Sequence, residues 1–167
     1  MRIYHAATER QFVAYDFEHM YLVDTNVISA GAPSKRSADA RLITWMDVHS
    51  SELYLSAVTV AEIEDGIAKA RREQARRKAD NLADWLETVL HLYENRILAF
   101  DIAAARVAGA LSDLARSRGV APGFADLMIG ATARCHGLTI LTRNVRHFKP
   151  LGLLTINPFE QLPTGNS

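Results

Sequence analysis

The chain sorts into short apolar runs and longer stretches in which apolar positions recur every three or four residues. The short runs are MYLV at 20–23, LYLS at 53–56, ILAF at 97–100, LTILT at 138–142 and LLTI at 153–156. None alternates apolar with polar, so each is expected to be a strand covered on both faces. Between them the spacing predicts helices. The first spans 37–48, capped by Ser37, with Leu42, Trp45 and Met46 on one face. The second starts near Ala57, capped by Ser56 or Thr59, and aligns Ile63, Ile67 and Ala70. The third, 73–93, carries Leu82, Trp85, Leu86, Val89, Leu92 and Tyr93 as one stripe. The fourth, 101–118, and the fifth, 123–136, stop at Gly119 and Gly137. Strands alternating with helices predict an α/β fold, a three-layer α/β/α sandwich around a mainly parallel sheet.

Residues 20–160 are expected to form one domain, since neither a linker nor a repeat divides them. Residues 1–19 follow neither period and precede a second methionine, Met20; they read as an accessory extension, or as sequence ahead of a natural start at Met20. Residues 161–167 read as a flexible tail. Lys plus Arg equals Asp plus Glu at 19 each, so a nucleic-acid partner would have to use local basic patches rather than net charge. No apolar run approaches the roughly 18 residues of a membrane span. The single cysteine, Cys135, forms no internal disulfide, which suits the cytoplasm, and its apolar surroundings mark it as a packing residue.

Composition leaves the chemistry open; the acids narrow it. Ligands of parallel sheets bind at the carboxyl ends of the strands. Asp24 ends the first strand, Glu62 follows the second and Asp101 directly follows the third. Asp126 opens the helix GFADLMIGATA, where only Asp126 and Thr132 are polar. A helix apolar on nearly all sides is a buried one, and a buried carboxylate needs a cation or strong hydrogen bonds. Each acid also has an ordinary reading: a turn at Asp24, a surface acid at Glu62, amide capping at Asp126 and a helix cap at Asp101. Gly66, inside the second helix, suggests close approach of another helix or of a ligand.

Several carboxylates without a second cysteine or a histidine pair at ligand spacing favour a hard cation, Mg²⁺ or Mn²⁺, over Zn²⁺. Such an ion suits phosphodiester hydrolysis. Neither GxSxG, GxxxxGK[ST] nor GxGxxG occurs, so a serine hydrolase and a nucleotide-binding enzyme lack support.

The stretches YLVDTNVIS (21–29), LSAVTVAEIEDGI (55–67), FADLMIGATARCHGLTILTRNVRHF (124–148) and TINPF (155–159) together resemble the PIN-domain family, in particular VapC-like toxins of toxin–antitoxin pairs. That resemblance implies a Rossmann-like fold, an Mg²⁺- or Mn²⁺-dependent endoribonuclease, a homodimer and a cognate antitoxin protein. It implies Asp24, Glu62 and Asp126 as metal-binding catalytic acids. Thr142 and Asn144 would stand at the rim, with Thr142 orienting an acid. His147 occupies a place where the family usually has a further acid, which puts a second metal in doubt. It also keeps a rival reading open: a degenerate nuclease fold that binds RNA or a protein partner without cleavage. A small-molecule phosphatase is a weaker alternative, since no Asp-x-Asp nucleophile pair is present. Arg143, Arg146 and Lys149 form a basic stretch beside the proposed site. A second run, Arg71, Arg72, Arg76, Arg77 and Lys78, reads as a solvated helix face, with RNA or antitoxin contact as the alternative. Trp85 and Leu92 belong to the core or face a partner helix.

Overall fold

The computed structural model describes residues 20–33 and 39–164. The proposed extension 1–19, the cap at Ser37 and the last three positions of the tail lie outside the described residues. Five strands form one sheet in the order β3-β2-β1-β4-β5: β1 (Tyr21–Val23), β2 (Leu53–Ser56), β3 (Ile97–Leu98), β4 (Thr139–Leu141) and β5 (Thr155–Ile156). Every neighbouring pair is parallel. The chain steps outward from β1 to β2 and β3, then returns to lay β4 on the other side of β1. The crevice at such a reversal is where sheets of this kind accept ligands.

Side chains on successive strand residues part to opposite faces. Tyr21 and Val23 enter one hydrophobic cluster with Leu53, Leu55, Ile63, Leu86 and Leu141. Leu22 enters the other with Leu111, Leu127, Ile129, Ile140 and Phe148. The first cluster packs beneath α1 (Thr25–Ile28), α2 (Ala40–Val48), α3 (Ala57–Arg72) and α4 (Arg76–Leu92). The second packs beneath α5 (Ile102–Ser117), α6 (Phe124–His136) and α7 (Val145–Phe148). These are the three expected layers. Leu162 also packs against the first cluster, inside the stretch read from sequence as tail.

Several boundaries move. The stripe expected over 73–93 begins at Arg76, because Gln74 takes a left-handed φ of 58° and breaks the chain between α3 and α4. The basic run therefore straddles a turn instead of lining one helix face. Asp39 caps α2, and Ser56 caps α3 by accepting from Val58 N. Asp101 accepts from Ala104 N and is the cap of α5.

One further expectation is corrected, and one alternative of another is removed. Cys135 is exposed, because the buried side of α6 stops at Ala133 and the helix emerges through Arg134, Cys135 and His136. Among the described residues, no atom beyond its own helix lies within 4 Å of a Cβ built on Gly66, so no described helix packs closely there and the glycine instead faces an open groove. Close approach belongs to Gly130, where a Cβ would meet Leu153 Cδ1 at 2.8 Å and Phe148 Cδ1 at 3.5 Å. That missing side chain lets α6 settle against the segment after β4.

Candidate functional site

The site is built at the carboxyl ends of β1 and β4. Their register pairs Val23 with Leu141, so the next residues, Asp24 and Thr142, emerge side by side. Asp24 N donates to Leu141 O at 3.0 Å, extending the ladder by one bond. Asp24 is 3% exposed and Thr142 fully buried. A carboxylate this deep needs partners, and three donors converge on it. Thr25 N reaches Oδ1 at 2.7 Å, while Asn26 Nδ2 at 2.5 Å and Thr142 Oγ1 at 2.6 Å reach Oδ2. Thr142 Oγ1 in turn accepts from Asn144 N at 2.9 Å. Asn26 Oδ1 accepts from Arg143 N at 3.0 Å, stitching the two strand ends together.

Glu62 stands on an exposed turn of α3, and its Oε2 accepts from Thr25 Oγ1. Asp126 lies in the first turn of α6, its side chain 18% exposed. Gly123 N donates to Asp126 Oδ2 at 3.3 Å, and His147 Nδ1 lies 2.8 Å from the same oxygen. This answers how the buried helix tolerates its acid. Asp126 sits at the helix mouth and is shared between a backbone amide and an imidazole. His147 is a half-buried residue of α7 rather than a free loop histidine. Its bond to Asp126 also shows that α6 opens at the carboxyl edge of the sheet.

The acids feel one another. Burial pushes the Asp24 carboxyl above the usual carboxylate range; hydrogen bonds from Thr142 and Thr25 pull it back, and the Asp126 charge raises it again. Burial likewise raises Glu62, offset by the Thr25 hydroxyl and reinforced by Asp24 and Asp126. The corner thus holds two carboxylates, Asp24 and Glu62, whose charged forms are destabilised, a situation that a divalent cation reverses. An all-oxygen donor set fits Mg²⁺ or Mn²⁺. Among the described residues, no three His, Cys, Asp or Glu side chains close on a common metal position. An ion here would therefore keep much of its own water, as Mg²⁺ habitually does.

The structure thus gathers Asp24, Glu62, Asp126, Thr142, Asn144 and His147 at one edge, and leaves Asp101 to its helix cap. The sequence does not single out Thr25 and Asn26. Their positions one and two after Asp24 are the only signal that they fasten the acids together. Beside the corner, a groove of ≈ 320 Å³ runs past Thr25, Glu62, Gly66, Lys69, Lys78 and Trp85.

Thr142→Val tests this scaffold. It removes the donor to Asp24 Oδ2 and the acceptor of Asn144 N, and is expected to cost about 1–3 kcal/mol in urea unfolding. A loss within measurement error would show that these bonds do not support the corner.

Comparison with known proteins places the chain in a family. The plasmid stability protein StbB of Pseudomonas syringae pv. tomato is 38% identical over 143 residues, covering 84% of this chain and 99% of that protein. The VapC ribonuclease Y4jK of Sinorhizobium fredii is 38% identical over 142 residues, with the same coverage of 84% and 99%. Among solved structures, FitAcB from Neisseria gonorrhoeae superposes with a TM-score of 0.74 at 35% identity, covering 84% of this chain and 99% of that one. The family model that matches residues 21–151 is that of the PIN domain; with that match and relatives 38% identical over most of its length, the chain belongs to the PIN-domain family.

Proposed function

We propose that the chain is a metal-dependent endoribonuclease, the toxin of a toxin–antitoxin pair, acting in the cytoplasm as a homodimer. The observation that carries this reading is the convergence of Asp24, Glu62 and Asp126 beside Thr142, on a chain whose relatives bear the names ribonuclease and toxin. Asp24, Glu62 and Asp126 would hold Mg²⁺ or Mn²⁺. When bound, such an ion supplies an activated water and a counter-charge for the phosphoryl oxygens. Asp24 is locked by its three donors and serves as the fixed point of the site. Glu62 Oε2 is engaged by Thr25, and Oε1 has no hydrogen-bond partner among the described residues; Oε1 would be the oxygen free to take up a proton from water. Asn144, His147 and Thr142 hold the rim in place. An apolar groove of ≈ 380 Å³ between α2 and α4, lined by Ile28, Met46, Trp85, Val89, Leu92 and Tyr93, offers an antitoxin segment a seat.

Two observations favour a second reading, RNA binding without cleavage. His147 engages Asp126, and the acids do not close into a metal cage. Incubating the purified chain with labelled single-stranded RNA in Mg²⁺, in Mn²⁺ and in chelator separates the two. Cleavage in either metal that chelator abolishes is the expected result. Binding that persists in chelator, with no cleavage in either metal, would leave only the second reading.

A further inference from the structure

Arg143 is the second residue after β4, next to Thr142, and is exposed at the rim of the acid corner. Its backbone N–H is fixed to Asn26 Oδ1 at 3.0 Å, and Asn26 is itself bonded to Asp24. A flexible cation so placed would be expected to fall onto one of the acids. Among the described residues, no carboxylate lies within ion-pairing distance of its guanidinium. The guanidinium carbon instead sits over the Phe159 ring, 3.9 Å from its centroid. That spacing is close to van der Waals contact between flat groups. Phe159 is held in turn: its N–H donates to Asn157 Oδ1 at 3.2 Å, and its ring packs against the core beneath the sheet. A guanidinium engaged through its face keeps its N–H edge for an oxyanion, in the fork geometry that suits a phosphate.

We propose that Arg143, seated on Phe159, grips a backbone phosphate of the RNA strand as it enters the acid corner, with Phe159 as its positioning residue. This rests on the ribonuclease reading. The aromatic seat keeps a positive charge beside the acids without letting it neutralise them. The bond through Asn26 ties that phosphate contact to the placement of Asp24. Arg146 and Lys149 have no such seat among the described residues, so Arg143 is singled out from the basic stretch.

The test is fluorescence anisotropy with a labelled 15-nucleotide single-stranded RNA of mixed sequence, in Ca²⁺, over a range of salt. Arg143→Gln is expected to weaken binding about tenfold, the loss of one charge-assisted hydrogen-bonded contact. The slope of log affinity against log salt should become shallower by about 0.7, one single-strand phosphate contact. Phe159→Leu should weaken binding about threefold, and should add almost nothing in the Arg143→Gln background. Arg143→Lys should recover the salt slope but not the full affinity. An unchanged slope in Arg143→Gln, or independent effects of the two substitutions, overturns the proposal even if Phe159→Leu proves unstable. Wild-type protein that neither binds nor cleaves this RNA defeats the ribonuclease reading, and the present inference with it. Wild-type binding that the Arg143 variants leave untouched defeats this inference alone.

Discussion

Asp24→Asn is expected to reduce RNA cleavage at least about a hundredfold, the scale set by losing a metal-binding group, while the chain stays folded. The amide keeps the shape of the carboxylate but carries no charge and offers one acceptor oxygen in place of two. Thr25 N approaches Oδ1, and both Asn26 Nδ2 and Thr142 Oγ1 approach Oδ2. Whichever way the amide turns, its NH₂ faces at least one donor, a cost of about 1 kcal/mol or more. Against this, the substitution removes an anion that burial has made unfavourable. The two effects oppose each other, so the melting temperature in chelator should move little. Cleavage assays in Mn²⁺, set beside circular dichroism and thermal melts in chelator, check both halves. Wild-type cleavage in a folded Asp24→Asn protein would remove Asp24 from the site and leave the cleavage to other groups.

Much of the architecture is legible because parallel strands buried on both faces leave a distinct trace. MYLV, LYLS and LTILT are short β-rich runs without regular alternation, and β1, β2 and β4 all fall inside them. Gly119 and Gly137 stop their helices at φ near +65° and +66°, a backbone state that favours glycine. Asp24 is conspicuous because a carboxylate directly after such a strand cannot drift far from the sheet edge. Asp101 shows the limit of that logic: it occupies an equivalent place in sequence and does no more than cap α5.

What the sequence conceals is decided by tertiary contact. The break between α3 and α4 carries neither glycine nor proline, and Gln74 alone takes the left-handed turn. Gly66 and Gly130 are both helical glycines, and only the atoms around them show which one a neighbour requires. His147 pairs with Asp126 across 21 positions of sequence, and Thr25 pairs with Glu62 across 37. Neither partnership follows a local spacing rule, since each depends on where β4 and α3 are set down beside β1. The seat of Arg143 on Phe159 belongs to the same class.

Glu62→Gln is expected to separate catalysis from stability with opposite signs. Cleavage should fall at least about a hundredfold, as for Asp24. Stability in chelator should rise at neutral pH. Burial, with Asp24 and Asp126 nearby, holds the Glu62 carboxyl above its ordinary range in the folded protein. A carboxyl raised by folding contributes its full stability below its unfolded pKa of about 4.3 and loses it as pH climbs through the folded value. Wild-type protein without metal therefore carries an electrostatic penalty at pH 7 that a neutral side chain lacks. The substituted amide keeps an oxygen to accept from the Thr25 hydroxyl, so the hydrogen bond survives. Glu62 is an exposed residue and solvent screens it, so the gain should be only about 1–2 °C in Tm. It should vanish below about pH 4, where wild type is protonated too. Adding Mn²⁺ should invert the order, because wild type gains stability from binding the ion and the variant gains less. A Glu62→Gln protein that melts below wild type at pH 7 in chelator would mean the carboxylates are not under mutual strain, and that the corner has no need of a cation.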